Sequence, residues 1–259
     1  AEMYDDAPYP MAATTVAPGT GGVNAQLAVG GSVSGTVYDD DGVTGIEGIP
    51  VTAGTAAIGV GSPSAITGPG GSYTIRGVPA GDAYVSTVVT EYNELNDTDY
   101  LNASVTVPVA QGVETPGADL TLGAGGRIQG TVTGGGGPLA GVAVSAQNPT
   151  VWTNPTYSDY TGTDGAYVLR GVEPGVNYKV QFSTTEFNAA NDAGFASESY
   201  SDSHSDSFTP VNVSVGSATA GISATLEEGG TVSGIVYLPD GITPAEGIRV
   251  YDPYRQVVF

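Results

Sequence analysis

The chain has 259 residues and carries 27 acidic side chains against six lysines and arginines, so its net charge is -21 at pH 7. This charge argues against nucleic acid and anionic membrane surfaces as partners. Cysteine is absent, which excludes disulfides and thiolate metal sites, and no apolar run is long enough to span a bilayer. Apolar residues make up 40% of the chain, enough for a packed core, and the frequent Val, Ile, Thr and Tyr favour strands.

Residues 1–29 are predicted to be an extension that carries the last strands of a domain. The sequence GGVNAQLAVGG at 21–31 aligns with PGADLTLGAGG at 116–126 and with AGISATLEEGG at 220–230. In this alignment Val23 takes the place of Ile222, Ala25 that of Ala224, and Leu27 that of Leu226. This alignment predicts that residues 11–29 form the last two strands of a domain whose beginning is absent.

Two complete copies of one repeat follow, at 30–123 and 124–228. GGSVSGTV begins at Gly30 and GGRIQGTV at Gly125, and each is followed by a short turn and a second strand. Gly-rich breaks, alternating apolar residues and two final strands complete each copy. A third copy opens with GGTVSGIV at Gly229, but residues 229–259 supply only its first strands. Six or seven short strands with turns between them predict an all-β fold of tandem antiparallel β-sandwiches, with partial domains at both ends.

The second copy carries the motifs that suggest a family. G-x-[VI]-x-G-x-V, then PLAGV, then TDGAYVLRGVEPGVNYKV resembles the carboxypeptidase regulatory-like domains, which are transthyretin-like, Ig-like sandwiches close to the B-type repeats of bacterial surface adhesins. The resemblance covers nearly all of residues 30–228 and implies a module of a secreted or surface protein. The adhesin repeats often carry a lysine–asparagine crosslink in which the lysine lies in the first strand. The single lysine here, Lys179, lies late in the second copy, so we expect no such crosslink.

An acidic and amide-rich segment occurs at equivalent places in both copies, TEYNELND at 90–97 and TEFNAAND at 185–192. Oxygen ligands suit calcium, which is the one cofactor that the sequence suggests. The favoured interpretation is a solvated loop in which Asn and Asp cap local turns. The candidate ligands are Glu91, Asn93, Asn96, Asp97, Asp99, Glu186, Asn188, Asn191 and Asp192.

Two further sets of residues suggest contact with glycans. Asn96, Asn102 and Asn212 lie in N-glycosylation sequons, although ordinary polar strand faces are the favoured explanation of these residues. Trp152, Tyr157 and Tyr160 fall in one long insertion between strands, where aromatic rings stack on sugars or form a contact between domains or subunits. The second explanation is the favoured one for these aromatic residues.

We do not expect an enzyme. His204 is the single histidine, and it lies in the polar sequence SDSHSDS without a nucleophile elbow, a cysteine partner or a phosphate-binding loop. Paired carboxylates carry no weight in so acidic a chain.

The unfinished ends predict a structural subunit of an extracellular or cell-surface filament that polymerises head to tail with copies of itself by β-strand complementation. Together the end pieces are shorter than one repeat, so a joined domain would lack its middle strands. A spacer fragment of a large surface adhesin and a carbohydrate-binding module of a secreted enzyme are the alternatives. The expected contact residues are Val23, Ala25, Leu27, Val232, Val236, Ile248, Val250, Tyr251 and Tyr254.

Overall fold

The structure is a computed structural model, and it describes residues 15, 17–23, 29–54, 62–150, 156–201, 208–230 and 233–248. These residues divide into two compact units. The first lies within Ala1–Arg127, Arg170–Pro174 and Ser214–Ser217, and the second within Ile128–Leu169, Gly175–Val213 and Ala218–Phe259. The predicted boundaries at 30, 124 and 229 remain predictions.

Strands dominate both units. The first ten are β1 Gly31–Tyr38, β2 Pro50–Gly54, β3 Ser64–Ile66, β4 Ser72–Val78, β5 Gly81–Thr87, β6 Tyr100–Leu101, β7 Ser104–Val109, β8 Glu114–Thr115, β9 Leu120–Thr121 and β10 Gly123–Ala124. The next ten are β11 Gly126–Gly134, β12 Gly137–Pro138, β13 Ala143–Gln147, β14 Tyr157–Tyr160, β15 Ala166–Val172, β16 Gly175–Ser183, β17 Glu198–Ser199, β18 Val211–Val213, β19 Ala218–Thr219 and β20 Ala224–Leu226. The described residues also form two α-helices, α1 Thr90–Asn96 and α2 Thr185–Asn191, and a 3-10 turn at Pro69–Gly71.

The first unit is a β-sandwich. One sheet has the order β4-β1-β8, with β9 also beside β1, and the other has the order β3-β2-β5-β7. Alternation along the strands buries Val33 and Ile75 on the first sheet and Val51 and Val85 on the second. These side chains belong to one core cluster, so the core lies between the two sheets.

The second unit repeats this arrangement. One sheet has the order β12-β11-β15, with β19 and β20 also beside β11, and the other has the order β14-β13-β16-β17, with β18 beside β16. Tyr167 and Phe182 are fully buried, and their rings meet edge to face at 6.0 Å between centroids. The predicted all-β fold of sandwiches in tandem is therefore confirmed.

The pairing of the first strands adds a feature that the antiparallel prediction lacks. β1 is antiparallel to β4 on one side, but it runs parallel to β8 and β9 on the other. In the second unit, β11 likewise runs parallel to β20. The last strand of each repeat therefore completes the sheet beside its own first strand.

The acidic segments, which were expected to be loops, form the two helices. Each has seven residues and ends at an aspartate in the left-handed conformation, Asp97 with φ 55° and Asp192 with φ 50°. Two turns are too short for the apolar period to reveal a helix. None of the helices in the described part of the chain is long and apolar enough to cross a membrane.

Candidate functional site

The segment that links the first strand of the repeat to the second lies at residues 31–51 and again, as far as the structure describes it, at 233–248. We call each segment a hairpin because its two arms pair through an isolated antiparallel bridge beside the turn, although β1 and β2 continue into different sheets. An Asp-Gly turn shapes both. Asp41 Oδ1 accepts hydrogen bonds from the amides of Val43 and Thr44, at 2.7 and 2.8 Å. Asp240 Oδ1 accepts the equivalent pair from Ile242 and Thr243, each at 2.9 Å. The short turn predicted after the first strand is therefore present at Asp39–Gly42, and the aspartate carboxylate stabilises it.

Backbone hydrogen bonds continue the same pattern away from the turn. Ile46 donates to the carbonyl of Val37 at 2.9 Å, and Ala245 donates to the carbonyl of Val236 at 2.8 Å. An antiparallel bridge joins Tyr237 to Pro244, although no strand is assigned within 233–248. The third hairpin thus has the local geometry of the first.

In the complete repeats, the last strand covers this hairpin at one glycine of the first strand. A methyl group at Gly35 would lie 2.2 Å from the carbonyl oxygen of Ala118, and one at Gly130 would lie 2.1 Å from that of Ile222. Only glycine permits so close an approach between two backbones. A buried tyrosine also donates to each carbonyl: Tyr73 to that of Ala118, and Tyr167 to that of Ile222 at 2.5 Å.

No described residue covers the third hairpin in this way. Gly234 is the counterpart of Gly35 and Gly130, and within the described part of the chain no atom lies within 4 Å of the position that its Cβ would take. Val236 is 38% exposed and Ile248 is 54% exposed, whereas their counterparts in the first unit, Val37 and Ile49, are each 0% exposed. The apolar residues that form a core elsewhere face solvent here.

Three of the expected contact residues are described, and all three are exposed: Val23, Val236 and Ile248. The other six lie outside the described residues: Ala25, Leu27, Val232, Val250, Tyr251 and Tyr254. Sequence analysis did not single out Gly35, Gly130 or Gly234. Their signal was a glycine inside a predicted strand at the same place in all three copies, which indicates close backbone approach.

The amides of the first acidic segment have structural partners. Asn93 is buried, donates from Nδ2 to the carbonyl of Tyr100 at 2.8 Å and accepts at Oδ1 from its amide at 3.0 Å. Asn188 holds Phe195 in the same way, at 2.8 and 3.1 Å. Asn96 and Asn191 each donate to a carbonyl one turn earlier in their helix. These bonds give a structural reason for the repeated pattern of asparagines.

The acids of the first segment pair with arginines inside the first unit. Arg127 contacts Asp97 at 2.9 Å and Asp99 at 2.6 Å, and Arg170 contacts Asp97 at 2.6 Å. Hydrogen bonds from Arg127 and Arg170 hold the pKa of Asp97 below its usual value. Among the described residues, no group of three or more acidic or histidine side chains is placed to hold a metal ion. Calcium binding, including ligation by Glu91, Glu186 and Asp192, stays a prediction.

The glycan candidates are placed as follows. Asn96, Asn102 and Asn212 are exposed, which leaves their use as glycosylation sites a prediction. Tyr157 and Tyr160 lie in strand β14 rather than in an irregular insertion, and the Tyr160 hydroxyl donates to Glu186 at 2.9 Å. Trp152 and His204 lie outside the described residues.

No family model matches the sequence, and no curated protein matches it. Among solved structures, the chain is similar to GBS52, the minor pilin of Streptococcus agalactiae, at 13% identity and a TM-score of 0.35, over 78% of this chain and 98% of that one. It is also similar to the shaft pilin SpaA from Lactobacillus rhamnosus GG, at 11% identity and a TM-score of 0.31, over 79% of this chain and 100% of that one. A streptococcal ancillary pilin overlaps at 12% identity and a TM-score of 0.32, over 78% of this chain and 63% of its own length. TM-scores this low carry no argument about what this chain does.

Proposed function

We propose that this chain is a structural, non-enzymatic subunit of an extracellular or cell-surface filament, joined head to tail by shared β-strands. The observation that carries the proposal is the third hairpin, which is formed but exposes Val236 and Ile248. The equivalent residues of the first unit, Val37 and Ile49, are buried in its core, so the third hairpin exposes apolar side chains that a complete sandwich covers.

Burial of this face favours association. Covering one side chain of this size stabilises a protein by roughly 1.5–3 kcal/mol, and an unpaired sheet edge gains main-chain hydrogen bonds when a strand is added. The N-terminal segment of a second copy is a fitting partner, because its sequence matches the last strands of both complete repeats. A contact between two different surfaces of identical subunits does not close on itself and therefore propagates as a filament.

The first test compares the intact chain with a chain that lacks residues 1–29, using light scattering and negative-stain electron microscopy. We expect filaments from the intact chain and monomers from the shortened one, because the shortened chain has no strand to contribute. Monomers from both chains would contradict the proposal and favour the spacer alternative.

A substitution on the exposed face gives the second arm of the test. Ile248→Asp places a charge where burial is proposed, so it should prevent assembly without unfolding the subunit. Ile242→Asp is the matched control, because Ile242 lies at the tip of the same hairpin and is 79% exposed, like its first-unit counterpart Val43. Equal assembly by the two variants would argue that this face is not the joint.

A further inference from the structure

We propose a register for the joint, a proposal that rests on the filament function above. The N-terminal segment of one subunit lies parallel to the first strand of its neighbour's third hairpin, with Val23 over Gly234 and Ala25 opposite Val236. The occupant of the uncovered hairpin is thus residues 22–27 of a second copy, in the position that the repeat's own last strand takes elsewhere.

The two complete repeats share one register. Val37 pairs with Leu120 in the first unit, and Val132 pairs with Ala224 in the second. Val236 corresponds to Val37 and Val132, and Ala25 corresponds to Leu120 and Ala224. The same register in the joint between two subunits places Tyr237 of one subunit opposite Gln26 of the other.

Hydrogen bonds at the start of the last strand are also the same in both repeats. Ala118 donates to the carbonyl of Ser34 at 3.0 Å, and Ile222 donates to that of Gln129 at 3.2 Å. The matching inter-subunit bond runs from the Val23 amide to the Ser233 carbonyl. The carbonyl of Val23 then comes to lie over Gly234, whose missing side chain leaves the required space.

A side-chain oxygen follows at the next position in all three segments. Asp119 accepts from the amide of Thr36 at 2.8 Å, and Ser223 accepts from the amide of Thr131 at 3.1 Å. The N-terminal segment has Asn24 at this place, and its amide oxygen is an equivalent acceptor. The partner donor in the joint is the amide of Ile235.

The backbone before these residues has the matching conformation. Gly117 and Gly221 precede the covering residues Ala118 and Ile222, with φ of 76° and 78°. Gly22 precedes Val23 with φ of 77°, although no atom of the residues that the structure describes lies within 4 Å of its Cβ position. The N-terminal segment therefore enters the joint with the left-handed glycine that both internal last strands use.

Cysteine crosslinking tests the register. The chain has no cysteine, so Gln26→Cys with Tyr237→Cys introduces one defined pair. The equivalent hydroxyls of Thr133 and Thr225 lie 3.2 Å apart, which brings the two side chains into range of a disulfide. Thr133→Cys with Thr225→Cys is the internal control for oxidation, and Asn24→Cys with Tyr237→Cys is the control two residues out of register.

We expect a ladder of covalent oligomers on non-reducing gels from the pair 26/237, and none from the pair 24/237. A ladder from 24/237 alone, with filaments still present, would overturn the register and leave the filament function standing. Crosslinked monomer from 26/237 would also overturn it, since the strand would then come from the same chain. Absence of filaments from the wild-type chain would instead contradict the proposed function.

A methyl group added at Gly234 tests the register independently of the crosslinks. Gly234→Ala meets open space in the free subunit but a carbonyl in the proposed joint, so the variant should fold like wild type and lose filaments. Gly137→Ala is the control, because its Cβ also meets nothing within 4 Å and it lies in the same unit. Filaments of wild-type yield from Gly234→Ala would overturn the register.

Discussion

The hairpin at 31–51 and the hairpin at 233–248 share their turn but differ in what surrounds them. Both have an aspartate that accepts two amides two and three residues later, and both continue with equivalent backbone hydrogen bonds. Val37 is fully buried in the first, while Val236 is exposed in the other. Local hydrogen bonds therefore shape this hairpin in either setting, and burial depends on a strand from elsewhere.

The covering strand is distant in sequence. Ala118 lies over Gly35 and Ile222 lies over Gly130, more than 80 residues later in each case. Because the turn and its cover are independent features of the chain, substitutions should separate them. Changes at the covered glycine should matter only where a cover is present, and changes at the turn should have the same local effect in both places.

The largest difference is expected at the glycines. Gly130→Ala forces a methyl group to 2.1 Å from the Ile222 carbonyl oxygen, so the backbone must shift and the free energy of unfolding should fall by about 3 kcal/mol or more. Gly234→Ala should leave that free energy unchanged in the monomeric subunit. Chemical denaturation of both variants, under conditions that keep the chain monomeric, measures the contrast. Equal losses would mean that Gly234 is covered in the isolated chain.

A smaller difference is expected at the valines that follow. Val37→Ala removes two buried methyl groups and leaves a cavity, at a cost of about 2 kcal/mol in the free energy of unfolding. Val236→Ala removes the same groups from a partly exposed position and should change the stability of the monomer little. Denaturation curves recorded for the monomer and for filaments sharpen the test, since Val236 should become as sensitive as Val37 only after assembly.

Sequence reasoning predicted the features that depend on repetition and alternation. The strand β1 begins one residue after the predicted start at Gly30, and the short turn predicted after it forms. Glycines at the turns and the alternation of apolar and polar residues were sufficient to predict these elements, because neighbouring residues determine them.

The helices and the arginine cluster could not be predicted in the same way. The two-turn helix α1 depends on Asn93, whose side chain holds the backbone of Tyr100 beyond the helix, and no apolar period marks such a contact. Arg127 and Arg170 reach Asp97 from positions 30 and 73 residues along the chain, a pairing that a single sequence does not encode visibly. The repeated asparagines suggested ligands because their partners are backbone groups, which leave no trace in the sequence.

Tyr73, which donates a hydrogen bond to the covering strand of the first unit, should make the stability of that unit depend on pH. Burial, with a contribution from Asp119, raises the pKa of Tyr73 from 10.0 to about 12. Since the unfolded group ionises near pH 10, its contribution to stability is complete below that pH and is lost as the pH rises toward about 12. Tyr73→Phe removes this dependence and also the hydrogen bond to Ala118, at a cost of about 1 kcal/mol near neutral pH.

Urea denaturation between neutral pH and about pH 11 measures the slope that Tyr73 contributes. Tyr84→Phe is the matched control for the loss of a tyrosine hydroxyl, because Tyr84 is exposed on β5. Other tyrosines account for the dependence that should remain in Tyr73→Phe: burial raises the pKa of Tyr100 to about 12 and also raises that of Tyr167, and the hydrogen bond with Glu186 raises that of Tyr160. If the slope is unchanged in Tyr73→Phe, the pKa of the Tyr73 hydroxyl is the same in the folded and the unfolded chain, and the prediction is wrong.

The smallest effect is expected at the turn aspartates, and here the two hairpins should agree. The Thr44 hydroxyl and amide, with the Val43 amide, lower the pKa of Asp41; the Thr243 hydroxyl and the amides of Ile242 and Thr243 lower that of Asp240. A lowered pKa means stabilisation that is present above the unfolded pKa and is lost as the pH falls through the folded one. NMR titration should therefore give similar, depressed carboxyl pKa values for both.

Asp41→Ala should lower the melting temperature of the first unit slightly, whereas Asp240→Ala should disturb only its own turn, because no packed core depends on it in the monomer. A normal pKa for Asp240 beside a depressed one for Asp41 would show that the cover, and not the local sequence, forms this turn.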